Sequence, residues 1–355
     1  MSERDYWLGF STISGIGPAK FRKLLLEFGT AKVAWEASAK QISKNFSIED
    51  YLEQLKAKGV WFLTLLDEDY PELLKKIKNP PFVLYGRGQV PDGTWFSQSI
   101  AVVGARRTTQ YGREVTKLLT TELVLNGFTI VSGLALGVDA ISHITALENN
   151  GKTIAVLGCG VDCCSPMENI SLYNSILESD NCIVSEFPLE MKPTQWSFPA
   201  RNRIIAGLSQ AVLVTEGAED SGSLITAEFA LKFGRKVFAV PGPITSSMSK
   251  GPYALIQKGA KLVTSGEDIF KELKYQISPV PSGGNVKTKS KISKITNVTA
   301  DELKILKLLQ NEPLHFDELV RRTKFNSSKL SSLLSMMEIK GMVKSLSSGN
   351  FSIAT

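Results

Sequence analysis

Between residues 99 and 273 the chain repeats one pattern: a short apolar run, a loop of small residues, then a helix-length segment. The strand candidates span 100–103, 129–131, 153–157, 182–185, 211–215, 236–240 and 261–263. Near-continuous apolar runs of this length, alternating with helices, bury both faces and so belong to a parallel sheet covered on each side. The pattern predicts an α/β domain with a Rossmann-like, doubly wound, mainly parallel sheet. Almost every run ends in small residues: Gly104-Ala105-Arg106, Ser132-Gly133-Leu134, Gly158-Cys159-Gly160, Ser221-Gly222-Ser223 and Pro241-Gly242-Pro243. In an open α/β sheet these loops gather at the carboxyl edge of the strands, where ligands bind. Their backbone N–H groups can form anion nests with little help from charged side chains.

The rest of the 355 residues divides by composition. Residues 1–65 read as an N-terminal helical domain (helix-hairpin-helix or SAM-like), 66–98 as a connecting segment, 99–273 as the Rossmann-like domain, 274–300 as a linker and 301–355 as a winged helix. The formal charge of +6 is unevenly spread. Residues 1–273 hold 28 Lys and Arg against 29 Asp and Glu, whereas 274–300 hold five Lys and no acid. With Pro279, Pro281, Gly283 and Gly284 ahead of spaced lysines, that stretch reads as a flexible basic linker. A hydrophobic content of 43% rules out a disordered or fibrous chain. No apolar run approaches the ~20 residues that span a bilayer, so no membrane partner is expected. The acid-bearing start is no secretory signal, and four cysteines make no disulfide framework; both point to the cytoplasm.

Several chemistries are disfavoured by what the motifs lack. Neither a dinucleotide G-x-G-x-x-G after the first strand nor a P-loop is present, and no H-E-x-x-H or G-x-S-x-G occurs. Cys159, Cys163, Cys164 and Cys182 are not spaced as a zinc set. No metal and no cofactor are expected. In the first segment the turn Ser14-Gly15-Ile16-Gly17-Pro18 precedes an apolar stripe at Leu24, Leu25, Leu26 and Phe28, with Lys20, Arg22 and Lys23 just behind it. Half of a helix-hairpin-helix meeting a phosphate and a plain αα-corner both fit.

The order of motifs then becomes specific. Val103-Gly104-Ala105-Arg106, the run from Val131-Ser132-Gly133 to Val138-Asp139-Ala140, and Phe198-Pro199-Ala200-Arg201-Asn202-Arg203 follow one another. Gly222-Ser223-Leu224-Ile225-Thr226-Ala227-Glu228 and Val240-Pro241-Gly242-Pro243 come next. This succession resembles the DNA-processing protein A (DprA/Smf) family over the whole central domain. One departure is Ser165-Pro166, where the family usually has Tyr-Pro. The resemblance implies a non-enzymatic single-stranded-DNA-binding protein that loads the RecA recombinase in natural transformation. It also implies a homodimer formed through the Rossmann-like domain.

Binding a single strand without sequence preference needs cations for phosphates and aromatic faces for bases. Trp196 and Phe198 ahead of Arg201, Asn202 and Arg203, with Lys192 upstream, supply both in one loop and helix. Arg201 and Arg203 are two positions apart, so they point to different sides of a helix, one into a groove and one onto a brace such as Glu186 or Glu216. Gly104, Arg106, Ser132 and Gly133 stand at strand ends; Gly222, Ser223 and Thr226 open a helix suited to phosphate. Asp139 reads as a helix-start residue and His143 as an internal hydrogen-bond partner. An enzyme acting on a phosphorylated nucleotide stays open, because Gly222 to Glu228 is similar to a run in Rossmann-like nucleotide phosphoribohydrolases. The double-glycine loop those enzymes carry before it is missing. In the last domain Leu303 to Leu309, Phe316 to Val320 and Leu330 to Met337 mark three helices before a hairpin. The third helix carries Lys329 as its single base, which disfavours duplex reading by a winged-helix regulator and leaves a protein contact open.

Overall fold

The computed structural model describes residues 1–38, 46–275, 299–309, 314–345 and 349–353, which fall into two compact units, Met1–Ser278 and Pro279–Thr355. Most of the basic linker lies outside the described residues. The first unit opens with α1 (Glu3–Ser11), α2 (Pro18–Phe28), α3 (Ala31–Ser38) and α4 (Ile48–Ala57). Gly17 and Pro18 start α2, the proline at a position where its missing N–H costs nothing. These helices pack on aromatics: Phe21 sits edge-on to Trp7 at 4.9 Å and stacks on Phe82 at 4.1 Å. Of the expected stripe on α2, Leu24, Leu25 and Phe28 are partly covered, but Leu26 is 81% exposed.

The sheet follows, with β1 (Val60–Thr64), α5 (Glu72–Lys75), β2 (Val83–Gly88), α6 (Gly93–Ser97), β3 (Ser99–Val103), α7 (Gln110–Leu125), β4 (Thr129–Ser132) and α8 (Val138–Glu148). The alternation continues through β5 (Thr153–Val156), α9 (Ile170–Glu178), β6 (Cys182–Ser185), α10 (Ser197–Leu208), β7 (Ala211–Val214), α11 (Gly222–Lys232), β8 (Lys236–Ala239), α12 (Lys250–Gln257), β9 (Lys261–Leu262) and α13 (Gly266–Glu272). The order is β1-β2-β6-β5-β4-β3-β7-β8-β9, with the seven strands from β3 to β9 parallel to their mutual neighbours. Alternate residues of one strand serve opposite faces, as the pleat dictates. Ile100 and Val102 pack with Leu119, Leu123 and Phe270, whereas Ala101 and Val103 pack with Ile204, Ile205, Ala227 and Ala230.

The boundary drawn at residue 99 does not match the sheet. Residues 66–98 do more than connect: β2 pairs antiparallel with both β1 and β6. The start of β2, Val83 to Tyr85, is buried on both faces, Leu84 toward the sheet core and Val83 and Tyr85 toward the N-terminal aromatics. The helical segment thus packs its own apolar cluster directly on this end of the sheet.

In the second unit α14 (Ala300–Leu309), α15 (Phe316–Thr323) and α16 (Ser327–Ile339) enclose Leu306, Leu319, Leu330, Leu334 and Met337. A three-stranded sheet completes this winged helix: β10 (Leu314–His315), β11 (Val343–Ser345) and β12 (Asn350–Ile353), in the order β10-β12-β11. The hairpin expected at the end is present, though its turn at 346–348 lies outside the described residues. Lys329 pairs with Asp301 at 2.6 Å and lies 4.5 Å from the Phe325 ring centre. Among the described residues no helix is long and apolar enough to cross a membrane.

Candidate nucleic-acid interface

The chain winds outward from β3 in two directions, through β4, β5 and β6 on one side and through β7, β8 and β9 on the other. Where that order reverses, the loops after neighbouring strands part and leave a crevice. A cleft of about 510 Å³ occupies this point. Gly104 and Arg106 after β3, Ala135 and Asp139 around the start of α8, one side of α10 and the first turn of α11 line it.

Eight of the expected residues meet here: Gly104, Arg106, Phe198, Arg201, Asn202, Gly222, Ser223 and, one turn further along α11, Thr226. The exposed cation is Arg106, whose guanidinium carbon lies 5.5 Å from the centre of the Phe198 ring. Asn202 donates to the Gly222 carbonyl at 3.2 Å, tying α10 to the α11 start. There Ser221 caps the helix, its hydroxyl 2.8 Å from that of Ser223. A Cβ on Gly222 would meet nothing within 4 Å, and its backbone needs no positive φ. Bare backbone therefore faces the cleft at a helix N-terminus, the arrangement that suits a phosphate.

Arg201 plays a different part. It is 4% exposed, and its Nη1 donates to the carbonyls of Gly133 and Val156 at the ends of β4 and β5. A Cβ on Gly133 would fall on that guanidinium, so the glycine is the room the arginine needs. Asp139 accepts the Gly133 N–H at 3.1 Å and the Ala135 N–H at 3.4 Å. Burial pushes its carboxyl up, against the pull of the Arg201 charge and these amides. Arg201 is thus the cation that balances a buried acid beneath the cleft.

Ser132 is fully buried, its hydroxyl donating to the Val102 carbonyl at 2.7 Å, and Gly133 is buried beside it. Neither lines the cleft. Arg203 points to the opposite side of α10, where it pairs with Glu186 and donates to the Asn79 carbonyl at 2.8 Å. Glu216 serves Thr109 instead, accepting its N–H at 2.9 Å and its hydroxyl at 2.6 Å. Lys192 is exposed on the loop before α10 and does not line this cleft. Gln195 lines the cleft although no sequence pattern marks it. Among the described residues no group of His, Cys, Asp or Glu is arranged to hold a metal.

His143 is wholly buried, with Nδ1 2.7 Å from the Thr153 hydroxyl. That hydroxyl donates to the Ile130 carbonyl at 2.9 Å, so Nδ1 carries the proton and Nε2 has no partner. Burial, reinforced by the Arg201 charge, lowers the pKa from 6.5 to about 3. Between those values the unfolded chain binds a proton that the native one does not. Stability is therefore intact above pH ~6.5 and falls as pH drops toward 3, by up to about 1.4 kcal/mol per pH unit. Urea unfolding of the native protein and of His143→Gln at neutral and mildly acidic pH should show the larger acid loss in the native protein. Equal losses would refute this account.

A doubly wound sheet with an arginine, an aromatic ring and a serine-capped helix start at its switch point defines a Rossmann-like α/β protein. The family model for DNA recombination-mediator protein A matches residues 61–274, and that for the DprA winged helix domain matches residues 293–349. The chain belongs to the DNA recombination-mediator protein A family. It is 34% identical to Protein Smf of a Synechocystis species over 96% of both chains. It is 44% identical to DNA processing protein DprA of Bacillus subtilis over 62% of this chain and 74% of that one. The structure of DNA processing protein A from Streptococcus pneumoniae superposes with a TM-score of 0.63 at 36% identity, covering 77% of this chain and 98% of the other. The Helicobacter pylori protein of that name, described for its single-stranded DNA binding mode, gives 0.53 at 32% identity over 60% and 95%.

Proposed function

We propose that this protein is a non-enzymatic recombination mediator that binds single-stranded DNA in the switch-point cleft, protects incoming DNA and loads RecA during natural transformation. The observation that carries the reading is Arg106 set over the Phe198 ring beside the open α11 N-terminus. A cation, a base-stacking face and backbone donors together suit a strand whose bases are unpaired. The DNA-binding residues in this reading are Gly104, Arg106, Phe198, Asn202, Gly222, Ser223 and Thr226, with Arg201 and Gly133 shaping the cleft from below. The protein works in the cytoplasm as a homodimer formed through the Rossmann-like domain. Lys329 is engaged by Asp301, which supports a protein contact rather than a DNA groove for α16.

Fluorescence anisotropy with single-stranded and duplex oligonucleotides of one length tests the binding. Preference for the single strand is expected, with a salt slope of about −0.7 per phosphate engaged. RecA nucleation on oligonucleotides already coated by a single-strand-binding protein should accelerate when this protein is added. Equal affinity for duplex, or no effect on nucleation, would count against the proposal. Release of free base from nucleoside monophosphates would favour the hydrolase instead.

A further inference from the structure

On the other side of α10 lies a second cleft, of about 720 Å³, between the α1–α2 turn and the sheet. Gln195, Phe198, Arg201 and Asn202 line the first cleft, whereas Trp196, Ala200 and Arg203 line the second. One helix start, about 10 Å across, is therefore the wall between them.

The second cleft has what a nucleobase requires. Trp196 is 60% exposed on its rim and packs edge-on against Phe187 at 5.5 Å, so an indole face is available to solvent. Facing it is the turn through Gly15 and Gly17. A Cβ on Gly17 would meet no protein atom within 4 Å, and no positive φ demands glycine there. Lys20, exposed one turn into α2, adds a cation beside the turn. The decisive group is Glu186. Its side chain is 9% exposed and lines the cleft; one carboxylate oxygen is held by Arg203, while the other, Oε1, is buried with no hydrogen-bond partner. An acceptor left bare costs stability unless something donates to it.

We propose that this second cleft receives a base of the same DNA strand as it leaves the first, stacked on Trp196 and donating an exocyclic amino N–H to Glu186. The inference rests on the single-strand reading of the first cleft. It adds a base preference that backbone binding alone does not give. Cytosine presents an amino donor, whereas thymine presents a carbonyl oxygen at the same position, which a carboxylate repels. Arg203 is the positioning residue that fixes which carboxylate oxygen stays free.

The test uses the full chain with oligo(dC) and oligo(dT) of about 20 nucleotides. Oligo(dC) should bind roughly ten-fold more tightly, and Trp196 fluorescence should be quenched on binding, a signal absent in Trp196→Phe. Glu186→Gln keeps an acceptor for Arg203 but can turn an amide donor to the base, so the dC preference should vanish or invert. Gly17→Leu should fill the cleft and weaken both oligonucleotides by roughly ten-fold, the loss of one stacked base. An unchanged dC/dT ratio in Glu186→Gln, with binding still dependent on Arg106, overturns this inference and leaves the first cleft standing. Absence of oligonucleotide binding altogether overturns both.

Discussion

Replacing Arg201 with alanine is expected to lower the unfolding free energy by about 3 kcal/mol, seen as a lower urea midpoint at an unchanged slope. Two strand-end carbonyls, of Gly133 and Val156, lose their donor, and Asp139 loses the positive charge that balances it. Lysine is no full substitute: it keeps the charge but replaces the planar guanidinium, whose Nη1 is fixed between the two carbonyls, with a flexible, more strongly hydrated ammonium. Gly133→Ala should act through the same contact by displacing the guanidinium. The double variant should therefore lose less than the two single losses combined. DNA binding should fall too, because an uncompensated carboxylate would lie beneath the cleft. A midpoint equal to that of the native protein would remove Arg201 from its structural role.

The second large effect concerns affinity rather than stability. Phe198→Ala should weaken single-strand binding by about 1–3 kcal/mol, the worth of one stacked base. Arg106→Ala should both weaken binding and make the salt slope shallower by about 0.7, as expected for one lost phosphate contact. Phe198→Ala should leave that slope as it was. Combining the two should couple them, since the guanidinium lies over the ring it would lose. Arg106 is exposed and Phe198 half-buried, so urea midpoints close to native are expected for both variants and separate this result from a folding defect. Unchanged affinity in both would move the DNA off this cleft.

How much of this was legible depends on the range of the interaction. The seven parallel strands lie within a residue or two of their sequence bounds, because apolar runs buried on both faces announce themselves locally. β1 and β2 were hidden: 18 residues separate them, and the run at Phe82 follows two prolines, so it reads as a lead-in rather than a strand. The opposite directions of Arg201 and Arg203 follow from helical spacing, and Glu186 was among the partners expected. What periodicity cannot show is that Arg201 goes inward. That depends on Gly133, 68 positions earlier in the chain, having no side chain. Ser132 was misplaced for a similar reason, since a strand-end serine looks alike whether it faces the cleft or the neighbouring strand. The second cleft depends on two segments about 170 residues apart meeting across the sheet, which no local pattern reports.

The two ends of the large sheet bear on how the protein behaves in a crowded cell. A sheet's outermost strands are the places where a foreign chain can continue the ladder and seed aggregates. Here β9 offers two residues, one of them a lysine, too short a template for another strand to align on. At the far end Arg4 of α1 donates to the Phe62 carbonyl of β1 while its guanidinium lies 4.0 Å from the centre of the Phe62 ring. Removing the N-terminal helix would uncover that edge. The molecule thus carries its own guard against pairing strand to strand with another copy of itself.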